Sequence, residues 1–189
     1  MPSQPRLRFD YFETDPRYVD PRLAGTGLTF EAGGFFPGDN LGSGFGGAVS
    51  VQWTPFWIAE AAGFGLGGSI GFKGNSFHVS QEVGVQSRFP LLAAVHTLVP
   101  FTIRHFLLLR AGIQTDRGIS RREGVDGEPI AAPLTSKPGF VAEVGLYLPF
   151  SRHLGGAMSF RHTSLRDAAD GADQSADSLG ALSTLHVVP

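Results

Sequence analysis

No cysteine occurs anywhere in the 189 residues, which removes disulfides and thiolate metal sites. No run of 18 apolar residues exists either, so no segment suits a membrane-spanning helix. Charge is scarce: Asp, Glu, Lys and Arg make up 17% of the chain, and the formal net charge is -2. With no basic stripe, nothing in that balance calls for nucleic acid. The six histidines, His78, His96, His105, His153, His162 and His186, show no metal-ligand spacing and no H-E-x-x-H pattern. The chain is read without metal or cofactor. Met1-Pro-Ser-Gln-Pro-Arg6 is not a secretory signal, and the sequence is taken as a mature form carrying an added Met.

What is abundant is glycine, with 26 residues, and phenylalanine, with 16. The length fits one domain. Three segments repeat one device: Val51-Gln-Trp-Thr-Pro-Phe56, His96-Thr-Leu-Val-Pro-Phe101 and Gly145-Leu-Tyr-Leu-Pro-Phe150. Proline donates nothing to a ladder, so each Pro-Phe marks a strand end and a tight turn. Their prolines lie 45 and 49 residues apart. Between them stand long polar segments, notably Asp116–Pro138 and Arg166–Ser178. Short turns at one end and long loops at the other are how a transmembrane β-barrel is built.

Period-two alternation runs through the intervening segments. Phe45, Val49, Val51 and Trp53 oppose Gly46, Ala48, Ser50 and Gln52; Phe64, Leu66, Ile70 and Phe72 oppose Gly65, Gly67, Ser69, Gly71 and Lys73. Similar patterns over Leu28–Phe36, His78–Val99, Arg104–Gln114, Phe140–Leu148, Leu154–Ser164 and Leu179–Val188 make eight strands. About ten residues each suffices to cross a bilayer at the usual tilt. Pro90 is taken as a bulge in the fourth.

A soluble sandwich would need Lys, Glu and Thr on its outer face. Here the non-apolar face is mostly Gly, Ser and Ala, which suits the crowded lumen of a narrow barrel. The mean hydropathy of +0.03 is what half-apolar strands average to. The expectation is therefore an all-β, eight-stranded antiparallel up-and-down transmembrane barrel over residues 26–188, in the bacterial outer membrane. Residues 1–25 would form a periplasmic arm. Single charges interrupt the lumen face: Glu31, Glu82 and Glu143 against Lys73, Arg88, Arg110 and Arg161. Enclosed, they must pair, since an isolated buried ion is costly.

Two local patterns need weighing. Gly63-Phe-Gly-Leu-Gly-Gly68 fits G-x-G-x-x-G, but alternation continues through Ser-Ile-Gly-Phe and no helix pattern begins. The dinucleotide motif needs that helix, so this is a strand. Phe160-Arg-His-Thr-Ser164 ends the seventh strand. By parity His162 and Ser164 continue the lipid-facing side of Met158 and Phe160. A His near a Ser on one face is the core of a hydrolytic nucleophile, and a carboxylate such as Asp177 would orient the imidazole. Equally, the two are polar residues at the membrane rim, opening a loop.

The layout resembles small eight-stranded outer-membrane barrels. The stretch His162-Thr-Ser164 to Asp177-Ser-Leu-Gly180 resembles lipid A 3-O-deacylases, which carry H-x-S on the seventh strand and a Glu about a dozen residues later. The resemblance implies His162 as base, Ser164 as nucleophile and Asp177 as orienting acid. The family's Ser is followed by Asn, whereas Leu165 stands here, and its Glu is replaced by Asp one position later. Two functions follow as expectations. One is a non-enzymatic barrel whose outer loops, Thr115–Pro138 and Leu165–Ser178, meet partners at the cell surface; the other is a lipid A or phospholipid acyl-ester hydrolase. Outer-membrane lipids and lipopolysaccharide are the expected neighbours, with protein partners at the loops. A narrow solute channel is disfavoured, because eight strands fill with side chains.

Overall fold

Alternating side chains of opposite solvation leave this chain one way to satisfy its backbone. In the computed structural model, described for residues 25–37, 41–58, 61–79, 82–102, 105–123, 127–151, 153–169, 172–175 and 177–188, every element is a strand. The strands are β1 (Gly27–Pro37), β2 (Leu41–Ile58), β3 (Ala62–Val79), β4 (Glu82–Thr102), β5 (His105–Glu123), β6 (Pro129–Pro149), β7 (Leu154–Ala169), β8 (Ala172–Ser175) and β9 (Ser178–Val187). Each ring strand pairs antiparallel with its neighbours, and β9 pairs with both β7 and β1. Eight strands close the ring, leaving no edge. The four residues of β8 pair with the outer end of β7 alone.

The faces fall as the alternation predicts. Phe45, Ile70, Val95, Ile113, Met158 and Phe160 each expose more than 60% of their surface. Ser50, Ser69, Gln86, Arg110, Glu143 and Arg161 are buried within the ring. Small lumen residues are required by what they face. A Cβ on Gly65 would sit 2.6 Å from the His96 ring and 2.2 Å from the Trp53 carbonyl oxygen. The Gly63–Gly68 run lies wholly inside β3 and opens no helix.

Three expectations about local structure need correction. The ring strands are 10 to 21 residues long rather than about ten. Most of Asp116–Pro138 and Arg166–Ser178 is strand, not loop: β5 pairs with β6 as far out as Glu123↔Pro129. Beyond the bilayer both faces are wet, so polar residues there carry no alternation to mark a strand. Pro90 makes no bulge. The β3–β4 register is the same at Ile70↔Leu91 and Lys73↔Arg88, and the ladder is merely interrupted between those pairs, where proline offers no N–H.

The Pro-Phe motifs gather at one end, but β2 and β4 continue past them. Pro55 sits at a register shift between Trp53 and Phe56, Pro100 at one before Thr102, and Pro149 ends β6. The hairpins run further beyond the apolar wall at the opposite end, as in β5–β6 out to Glu123↔Pro129, so this end is periplasmic by the usual polarity of such barrels. At its mouth Gly25 is buried with φ +76°, close to Leu98, Thr54 and His96. The rest of the expected arm lies outside the described residues. His105, whose Nδ1 lies 2.5 Å from Thr102 Oγ1, and exposed His153 flank this end.

Candidate functional site on the outer wall

The lumen comes first, because it decides whether anything passes through. Near the periplasmic end Leu98, Phe106, Leu108, Tyr147 and Ala157 pack together, with Trp57 against them. Tyr147 hydroxyl and His186 Nδ1 are 3.1 Å apart, and Thr54 Oγ1 lies 2.8 Å from His96 Nε2. Further in, Arg110 Nη1 donates to Glu31 Oε1 and Glu143 Oε2, each at 3.0 Å. Arg161 reaches the same two carboxylates, at 2.7 Å to Glu31 and 2.8 Å to Glu143. Two guanidiniums and two carboxylates from β1, β5, β6 and β7 thus close a charge-neutral ring inside the barrel. Arg88 turns to the Gln86 side-chain oxygen at 3.0 Å, and Lys73 sits 4.7 Å over the Phe35 ring. The Glu82 side chain lies outside the described residues.

Parity on the lumen face did not single out several residues that matter. Asp116 is 2% exposed, accepts from Gln114 Nε2 at 2.7 Å, and its own N–H donates to Ser136 Oγ. His96, His186 and Tyr147 plug the periplasmic mouth. The signal was present for His96 and Tyr147, since each occupies a lumen-parity position beside a Pro-Phe motif. Cavities of about 10 Å³ each lie beside Arg161 and Arg110, room for about one water apiece.

A closed ring, an apolar outer wall and a packed polar interior leave lipid as the only solvent that fits the outside. The chain is a membrane-spanning β-barrel. No family model and no curated protein matches it. Solved structures with a similar trace include the attachment invasion locus protein Ail of Yersinia pestis, at 11% identity and a TM-score of 0.49, covering 86% of this barrel chain and 99% of that one. Another is the outer membrane enzyme PagL, at 13% identity and 0.48, covering 85% and 99%. A third is the N-terminal β-barrel domain of Pseudomonas aeruginosa OprF, at 12% and 0.41, covering 85% and 98%.

On the outer wall of the barrel, β7 presents the expected pair. His162 is exposed and Ser164 half-buried, while Thr163 and Leu165 between and beyond them are buried. His162 lies opposite Ala142 on β6 and Leu179 on β9; Ser164 lies opposite Phe140. The ladder Thr163↔Ser178 puts Asp177 one step further, opposite Ser164. Asp177 Oδ1 accepts the Leu165 N–H at 3.2 Å. The three residues therefore share one patch; the Asp177 position stands diagonal to the histidine, and its carboxylate is held by the Leu165 N–H. Diagonal partners are about 7–8 Å apart at Cα. Among the described residues no hydrogen bond joins His162 to Ser164. Leu165 N–H, the backbone group nearest to replacing an oxyanion donor, is engaged by Asp177.

Proposed function

We propose that this barrel is a non-enzymatic surface protein, anchored by its wall and acting through the outward extension of its strands. The observation that carries this is the β5–β6 hairpin, still paired at Arg121↔Ala131 and Glu123↔Pro129. The six steps from Arg117 to Glu123 give about 20 Å of strand. Exposed Ile119, Ile130, Ala131 and Pro133 stand on it beside exposed Arg121, Arg122 and Glu123, a mixed apolar and charged element suited to contact with another surface. The lumen supports the same reading: among the described residues the ion ring of Glu31, Arg110, Glu143 and Arg161 crosses the barrel interior.

A second reading is an acyl-ester hydrolase for outer-leaflet lipid, favoured by the shared outward face of His162 and Ser164 with Asp177 beside them. In that reading His162 takes the Ser164 proton, the Oγ attacks the ester carbonyl, the C–O bond to the lipid alcohol breaks as His162 returns the proton to it, and water then releases the fatty acid from Ser164, with the acyl chain along Phe160 and Met158. Asp177 would have to leave the Leu165 N–H to hold the imidazole. That move would free the same N–H for the oxyanion, so one rotation serves both needs.

One experiment divides the two. The folded barrel is incubated in detergent with lipopolysaccharide, and separately with phospholipid, and released fatty acid is followed by mass spectrometry. The surface reading expects the same background from the wild type and from Ser164→Ala. Release that depends on Ser164 overturns it in favour of the hydrolase.

A further inference from the structure

One buried cation of the lumen stands apart from the ion ring. Lys73, in the outer half of β3, is only 8% exposed. Among the described residues its ammonium makes no hydrogen bond and no ion pair, and its close contact is the Phe35 ring at 4.7 Å. Lysine carries three donors and no acceptor. A buried ammonium without an acceptor is costly, and a phenyl face offsets only part of that cost. The described carboxylates around it are committed elsewhere. Glu31 accepts from Arg110 at 3.0 Å and from Arg161 at 2.7 Å, and Glu143 accepts from the same two arginines. Asp116 accepts from Gln114 Nε2 at 2.7 Å and attracts Lys73 without contact, while Arg161 and Arg88 repel it.

The cavity of about 10 Å³ beside Arg161 is lined by Lys73 together with Glu31, Phe35, Ser69 and Gln114. It has room for one particle of about the size of water. The polar groups around it are suited to donate. Ser69 is 8% exposed, and its hydroxyl has no hydrogen-bond partner among the described residues. Gln114 gives an amide N–H to Asp116 and keeps a second. The lining carries one carboxylate against two cations, and that carboxylate is already shared by two guanidiniums. The field in the cavity is therefore positive. A water placed there would accept from Lys73 but leave its charge uncompensated. A small anion would do both.

We infer that Lys73 and Ser69 bind one small monovalent anion of the halide class in this cavity, beside the Arg161 edge of the ion ring. The anion completes the lumen's charge pairing where no described carboxylate reaches. It accepts from the ammonium and the hydroxyl, with the free Gln114 N–H as a third donor. The inference holds whether or not the barrel is an enzyme, because it uses no residue of the outer wall.

The test follows urea unfolding of the barrel in zwitterionic micelles, with sodium chloride replacing sodium gluconate at constant ionic strength. Gluconate is too large for the cavity, so only chloride binds the folded state. The wild-type unfolding constant should fall as chloride rises, by about tenfold once chloride reaches ten times its Kd. Lys73→Met keeps the length of the side chain without its charge and should unfold alike in both salts. Equal unfolding of the wild type in the two salts, or an undiminished chloride effect in Lys73→Met, overturns the site. Should Lys73→Met fail to fold, wild-type crystals grown in sodium bromide decide. An anomalous bromide peak in hydrogen-bond reach of Lys73 Nζ upholds the site, and its absence there overturns it.

Discussion

Strands β5 and β6 run side by side for most of their length, yet their two halves live in different environments. Below the register shift at Gln114/Arg117, one face meets lipid and the other meets Arg110, Glu143 and a packed lumen. Above it nearly every side chain is exposed on both faces. In the lower half a side chain's orientation decides whether it is tolerated at all. In the upper half orientation is less constrained, and the backbone ladder from Arg117↔Thr135 to Glu123↔Pro129 holds the hairpin. Stability therefore resides below and variability above.

The sharpest way to break that contrast is to remove one member of the ion ring. Glu143 accepts from both Arg110 and Arg161, so Glu143→Ala leaves buried positive charge uncompensated. The expected loss is about 3–5 kcal/mol, measured as urea-induced unfolding of the barrel in micelles. The matching change above, Glu123→Ala at the exposed tip, should stay within about 0.5 kcal/mol. Similar losses at both sites would end the distinction between the halves.

A smaller effect is expected where space rather than charge is limiting. Gly65→Ala pushes a methyl toward the His96 ring and the Trp53 carbonyl, with an expected cost of about 1–3 kcal/mol from overpacking. Removing Tyr147 hydroxyl by Tyr147→Phe breaks its contact with His186 and should cost about 1 kcal/mol. Both are read from the same urea transition. A Gly65→Ala barrel as stable as the wild type would mean that the lumen yields to an added methyl.

The same division explains what the sequence made legible. Lipid on one side and a crowded lumen on the other impose period two, so the faces of β2, β3 and β5 were readable residue by residue, as was the lumen position of Arg110, Glu143 and Arg161. The partners within the ring were not readable: Glu31 meets Arg161 across 130 positions of chain, and only ring closure brings them together. Above the rim water wets both faces, so Asp116–Pro138 read as loop although it pairs as strand. At the strand ends proline misled for one reason. Its missing N–H disqualifies it from a ladder, but at Pro55 and Pro100 a register shift absorbs the defect and the strand continues. At the wall site, parity placed His162 and Ser164 on one face. The register that sets Asp177 opposite Ser164 rather than His162 depends on how β9 meets β7, which no local pattern encodes.

Asp177 supplies the smallest expected change in stability and the finest discrimination between the two functional readings. Its Oδ1 accepts the Leu165 N–H, and an asparagine at this position keeps an oxygen able to do the same. Asp177→Asn should therefore alter unfolding by less than about 0.5 kcal/mol. Asp177→Ala, which strips the acceptor from a half-buried backbone donor, should cost about 1 kcal/mol. A structural role predicts that order of effects and no change in any lipid-directed activity. A catalytic role predicts something else: an amide in place of the carboxylate fails to stabilise the imidazolium, and in a Ser-His-Asp arrangement that loss reaches about 10⁴ in rate. Asp177→Asn thus leaves the fold alone while removing the one charge the enzyme reading needs. Fatty-acid release that falls steeply in this variant, with its unfolding unchanged, would move His162, Ser164 and Asp177 from the rim of a surface barrel into a hydrolytic site.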